Sequence, residues 1–136
     1  MPYQIKDATT TKSAALPNGA ATTATAAVQV QGSSSLRDFV ASVELKLTIP
    51  ALTTTELGDT QTITYTIETS DDSAFGSGNV TISLSTVQTG AGGAGATGTT
   101  VLVKPNSALK SYVRAKAVKT GASNASTSSM TLDILS

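Results

Sequence analysis

Residues 39–49, FVASVELKLTI, carry the cleanest hydrophobic alternation in the chain. Phe39, Ala41, Val43, Leu45, Leu47 and Ile49 fall on one face, and Ser42, Glu44, Lys46 and Thr48 on the other. A repeat of two is that of a strand buried on one side. On a helix the same apolar set would spread around the whole circumference. Pro50 ends the strand, because it cannot donate to a ladder. The same repeat returns in QTITYTIET (61–69), with Ile63, Tyr65 and Ile67 inward, and in NVTISLSTV (79–87), with Val80, Ile82 and Leu84 inward. It returns again in SYVRAKAV (111–118), with Val113, Ala115 and Ala117 opposed to Tyr112, Arg114 and Lys116, and in SMTLDIL (129–135), with Met130, Leu132 and Ile134 inward.

Two weaker segments, TTATAAVQVQ (22–31) and TTVLVK (99–104), complete a set of about seven to eight strands separated by turn residues. No stretch has helical periodicity. The pattern predicts an all-β sandwich or barrel. Ser70–Gly76 reads as a turn that drops Phe75 onto the core, and GAGGAGATG (90–98) as a flexible glycine loop. Residues 1–21 are polar, with Tyr3, Ile5 and Leu16 as their few apolar anchors and Pro17-Asn18-Gly19 as a turn. They read as a frayed terminus or as an extended N-terminal arm that orders on a partner. The expected organisation is such an arm over 1–21 and a single β-sandwich domain over 22–136.

Composition narrows the chemistry. With 136 residues the chain suits one domain of modest core. It holds 24 Thr and 17 Ser, and only three Tyr, two Phe and no Trp. The core must come from Val, Ile, Leu and Ala, with Phe39, Tyr65, Phe75 and Tyr112 as the large pieces. The absence of Cys and His removes disulfides, thiol nucleophiles, the usual zinc ligands and the commonest general base. No apolar run reaches the roughly 18–20 residues of a membrane-spanning helix, and MPYQIKDATTTK lacks the apolar core of a signal peptide. Synthesis in the cytoplasm is the expectation, with no membrane partner.

Charge is balanced overall, with nine basic and nine acidic residues, but divided along the chain. Leu47–Val103 contains Glu56, Asp59, Glu68, Asp71 and Asp72 and no base; Lys104–Leu132 contains Lys104, Lys110, Arg114, Lys116 and Lys119 and no acid. The two groups either neutralise each other across neighbouring strands, as in a Glu68–Arg114 pair, or face outward to meet complementary charge on other subunits. Zero net charge argues against a nucleic-acid partner.

Motifs with catalytic or cofactor mechanisms fail on context. Gly90–Gly95 matches G-x-G-x-x-G, but a strand follows where the dinucleotide fold needs a helix N-terminus. Gly93–Thr100 has P-loop glycine spacing with Thr99 in place of the lysine. Asp71-Asp72-Ser73 could offer oxygen ligands to calcium, but an Asx turn accounts for it more simply. Glu44, Glu56 and Glu68 are the material for a glycosidase pair, without the aromatic platforms that stack a sugar. The expectation is no enzyme, no cofactor and no metal.

One resemblance covers the chain from about Leu16 onward. The Pro17–Gly19 turn, FVASVELKLTIP, the segment ETSDDSAF (68–75), KPNSALKSYVRAKAV (104–118) and the closing MTLDIL occur in an order that resembles the capsid cement (decoration) proteins of tailed bacteriophages, in particular the Bbp16-like family. The resemblance implies a jelly-roll-like antiparallel β-sandwich on the virion exterior. It implies binding to the major capsid protein at capsomer junctions, as a homo-oligomer (dimer or trimer), which stabilises the head. Tyr3 and Ile5 are the candidate docking anchors. Arg114 and Lys116, with Glu68, Asp71 and Asp72, are the candidate charged contacts. The alternatives are another virion β-module (head–tail, tail-tube or fibre-base) and a carbohydrate-binding β-sandwich.

Overall fold

The computed structural model describes residues 9–29, 44–76, 81–103 and 110–135. These form nine strands: β1 (Thr9–Ala15), β2 (Thr22–Ala24), β3 (Val28–Gln29), β4 (Glu44–Ile49), β5 (Thr62–Ser70), β6 (Thr81–Thr89), β7 (Thr99–Val103), β8 (Tyr112–Lys119) and β9 (Ser129–Leu135). One sheet has the order β1-β9-β4-β7; the other has β2-β8-β5-β6, with β3 also pairing β8. All pairings are antiparallel. Counting β2 and β3 as one broken strand gives eight positions, arranged as the two interleaved Greek keys of a jelly roll. The expected all-β jelly-roll-like sandwich is the fold observed.

The core lies between the sheets, where the alternation placed it. Leu45, Leu47 and Ile49 of β4 and Met130, Leu132 and Ile134 of β9 meet Ile63, Tyr65 and Ile67 of β5 and Val113, Ala115 and Ala117 of β8, all buried. Tyr65 stands in register with Ala117, so the largest core ring has the smallest side chain beside it. Its hydroxyl donates to Gln88 Oε1 at 2.7 Å, and Gln88 Nε2 donates to the carbonyls of Pro50 (2.9 Å) and Thr97 (3.1 Å). This buried network ties β5 and β6 to the connections flanking β4 and β7 in the other sheet. Burial pushes the Tyr65 phenol well above its ordinary range, so it stays a donor. Tyr65→Phe strands the Gln88 oxygen and is expected to lower stability by about 1–2 kcal/mol, measured by urea unfolding.

Several expectations are corrected. Residues 9–15, assigned from sequence to the arm, are the edge strand β1, paired residue for residue with β9. Its only apolar side chain packed on the core is Ala14, which is why the segment shows no hydrophobic alternation. Residues 22–31 are not one strand. Ala24 opposes Lys116 and Val28 opposes Val113, so three residues face two across a bulge. Thr25 fills the bulge: its N–H donates to the Ala115 carbonyl and its hydroxyl accepts from the Ala115 N–H. In β6, Leu84 packs on the core as expected, while the register shifts beside it: Ile67 opposes Leu84 but Glu68 opposes Ile82, so the ladder steps over Ser83. Phe75 is buried, but outside the core cluster. Tyr112 is half-buried, and Phe39, Ala41, Val43 and Val80 lie outside the described residues.

The connections β1–β2, β4–β5, β6–β7 and β8–β9 gather at one end and bond to each other. Gly19 N–H donates to Ser123 O, Thr60 N–H to Gly90 O, and Leu52 and Ala96 exchange both backbone bonds. The glycine loop is part of this assembly and is not a flexible tether. A Cβ at Gly90 would stand 2.1 Å from the Gly58 carbonyl oxygen, and one at Gly95 would stand 2.3 Å from that of Leu52. In the β4–β5 connection Thr53 Oγ1 accepts from the Glu56 N–H while Glu56 Oε1 accepts from the Thr53 N–H, a reciprocal capping box. The other carboxylate oxygen accepts from Thr127 and Ser128, across to the β8–β9 connection.

These bonds, Ser128 first and then the Thr53 N–H, hold the Glu56 carboxyl below its ordinary pKa. A depressed folded-state pKa adds stability above the unfolded value of about 4.3. That contribution disappears as pH falls through the folded value. Denaturant titrations between pH 6 and pH 3 are expected to show an acid loss that Glu56→Gln reduces.

Candidate interaction face

The charged strand face read from the sequence is the outer surface of the second sheet. Position parity along β8 sends Val113, Ala115 and Ala117 into the core and leaves Arg114 and Lys116 outside. Across the sheet Arg114 is in register with Glu68, and Lys116 with Thr66. Arg114 Nε donates to Glu68 Oε1 at 2.9 Å, and Lys116 Nζ lies 3.2 Å from Glu68 Oε2. The Glu68 side chain is only 4% exposed, beneath two cations that each keep about a quarter of their surface. Of the two readings of the divided charge, pairing within the fold is the one observed for these three residues. Glu68 thus binds one cation on each carboxylate oxygen.

Phe75 closes this cluster from above. Its ring centroid lies 4.3 Å from Arg114 Cζ, a cation–π stack that orients the guanidinium. Phe75 sits in the left-handed region at φ 54°, a strained conformation for a bulky side chain. The loop that holds it is built by the two aspartates. Asp72 Oδ1 accepts from the Ala74 N–H (2.9 Å) and Oδ2 from the Gly76 N–H (3.0 Å), and both bonds lower its pKa. The Phe75 N–H donates to the Asp72 carbonyl. Asp71 Oδ1 accepts from the N–H and hydroxyl of Ser111, joining the loop to the start of β8. This is the Asx-turn reading of Asp71-Asp72. Among the described residues no three acidic side chains converge as metal ligands.

The structure thus brings together five of the seven residues singled out from sequence: Glu68, Arg114, Lys116, Asp71 and Asp72. Tyr3 and Ile5 lie outside the described residues. Beside the cluster runs an apolar row. Val118 and Val87 both oppose Thr64 of β5 and are 37% and 56% exposed. Between row and cluster lies Thr66, whose buried hydroxyl has no hydrogen-bond partner. The sheet therefore presents two exposed valines and a band of threonines next to a cluster whose charges are fixed in pairs.

Lys119 was missed as a structural residue. It continues the odd-numbered parity of Val113–Ala117, so it points inward at the end of β8 and is 2% exposed. Its ammonium donates to Gln61 Oε1 (3.1 Å) and to the carbonyls of Thr120 and Gly121. Desolvation lowers its pKa. Parity alone could have found it. The Thr53–Glu56 capping box was equally visible as T-x-x-E.

No family model matches the chain, and no curated protein matches it. Among solved structures it is similar to the crystal structure of the PBSX exported protein XepA, with a TM-score of 0.54 and 16% identity. The match covers 96% of this chain and 37% of that one, so this chain spans well under half of its neighbour's length. At that identity the likeness bears on the fold. No helix among the described residues is long and apolar enough to cross a membrane.

Proposed function

We propose that this chain is a structural protein of a tailed-bacteriophage virion: a cement protein that lies on the major capsid protein shell at capsomer junctions and stabilises the head. The observation that carries the reading is the outer face of the second sheet. Its charges are locked in the Glu68–Arg114–Lys116 cluster, and Val87 and Val118, on either side of half-buried Thr64, are exposed beside them. A rigid face with little mobile charge loses little entropy when it is covered. Such a face suits broad contact with another protein.

Two further points support the reading. The neighbour XepA is by name an exported protein of the phage PBSX, which favours a phage-associated role. The jelly roll is a recurrent architecture of viral capsid domains, an argument by analogy of fold. The finer assignment to the Bbp16-like cement proteins rests on the sequence resemblance. As a homo-oligomer that engages several shell sites at once, such a protein converts modest affinity at each site into firm attachment.

The test is binding of purified protein to capsid shells of its phage assembled without it. Saturable binding to the shell exterior is expected, and Val87→Asp with Val118→Asp is expected to weaken it while leaving the unfolding midpoint nearly unchanged. Wild-type protein that does not bind such shells overturns the proposal.

A further inference from the structure

A jelly roll has four edge strands, and each exposes a row of unpaired backbone groups that can template another strand. Three of these edges carry a blocking device. In β1, Lys12 opposes the core residue Leu132, so a charge points toward the inner face. The β2–β3 edge consists of three and two residues separated by the Thr25 bulge. The β6 edge is stepped at Ser83. Among the described residues the fourth, β7, has none. Thr99–Val103 pairs with β4 without a step, from Ile49↔Thr99 to Leu45↔Val103, and contains no charge, proline or glycine. It also displays Leu102, which at 63% is the most exposed large apolar side chain among the described residues.

We infer that β7 is a strand-addition edge, and that its occupant is β7 of a second copy, antiparallel about a two-fold axis. An isologous contact requires a strand that complements itself. An uncharged strand does so, since no like charges meet when it opposes its own copy. On the outer face Leu102 and Thr100 would lie against the same side chains of the second copy, covering the apolar surface that each leaves open. The β1-β9-β4-β7 sheets of two subunits would then run together as one eight-stranded sheet. The inference does not rest on the capsid reading, and no capsid enters its test.

Five residues per copy make a small interface, below the roughly 1,200 Å² of a standard stable complex, so trapping is a better probe than elution volume. The chain has no cysteine, so each introduced thiol is unique. Residues opposed across an antiparallel pair have Cα atoms about 4.5–5.5 Å apart, within disulfide range. Single cysteines are placed at Thr99, Thr100, Val101, Leu102 and Val103 of the full chain, with Val87→Cys on the blocked β6 edge as control. In a two-fold antiparallel pair one residue faces its own copy. Disulfide-linked dimer is therefore expected to form at one β7 position at least about tenfold faster than at Val87, the gain an enforced encounter readily supplies. The exposed sites Thr100 and Leu102 leave folding unaffected, which circular dichroism checks. If every β7 cysteine links no faster than Val87→Cys, the inference is wrong, whether the edge is bare or covered by something else.

Discussion

Replacing Gly95 by alanine is expected to remove about 3 kcal/mol or more of stability, a large share of the roughly 5–15 kcal/mol typical of a folded domain. Two independent effects add. The backbone at Gly95 has φ 68° and ψ −147°, a region that side-chain-bearing residues essentially do not occupy. A Cβ there would also stand 2.3 Å from the Leu52 carbonyl oxygen, itself fixed by its bond to the Ala96 N–H. Relief requires breaking the Leu52–Ala96 bridge and moving buried Leu52. The control is two residues away. A Cβ at Gly93 meets nothing within 4 Å and its φ is not positive, so Gly93→Ala is expected to change stability by no more than about 0.5 kcal/mol. Thermal and urea unfolding of the two variants decide the matter. Equal effects would mean that the loop is a tether after all.

The second large effect concerns Glu68. Arg114→Met together with Lys116→Met leaves a carboxylate buried on a sheet face with neither of its cations. Breaking a buried ion pair from one side typically costs about 3–5 kcal/mol; because both cations are partly solvated, the lower end, about 3 kcal/mol, is expected. Adding Glu68→Met to that pair is expected to recover most of the loss, because an apolar triad needs no compensating charge. Urea midpoints of wild type, double and triple variants give the result. If the triple variant is no more stable than the double, the loss comes from packing beneath Phe75 and the charge argument fails.

That cluster was largely legible beforehand. The Glu68–Arg114 pair follows from two alternating strands whose polar faces carry opposite charge, and the observed register places the two residues directly opposite. Strands β4, β5, β8 and β9 were legible for the same reason: each buries one face against the other sheet, so period two is written into Leu45–Ile49 or Met130–Ile134. What could not be read depends on contacts distant in sequence. β1 is an edge strand whose ladder is satisfied by β9, so its sequence needs little apolar patterning. The Thr25 bulge exists because a threonine hydroxyl can replace a backbone carbonyl opposite Ala115, which no local pattern announces. Gln88 looks like a surface residue in a threonine-rich strand until Tyr65, Pro50 and Thr97 converge on its amide. Gly90 and Gly95 look like slack because the carbonyls they approach belong to Gly58 and Leu52. Tyr3 and Ile5 keep only their sequence-based role.

The pairing of β1 with β9 also sets an order of events in time. Thr9 and Leu135 are register partners. Until β9 has left the ribosome, β1 has no strand to pair with, and the β4 edge that β9 will occupy stays open. At roughly 5–20 residues per second that interval is on the order of ten seconds. Non-local sheets of this kind also fold slowly, in milliseconds to seconds once complete. The nascent chain therefore passes through a window in which the threonine-rich β-strands already synthesised have unpaired edges. A stalled or prematurely ended translation product is the form of this protein most exposed to aggregation.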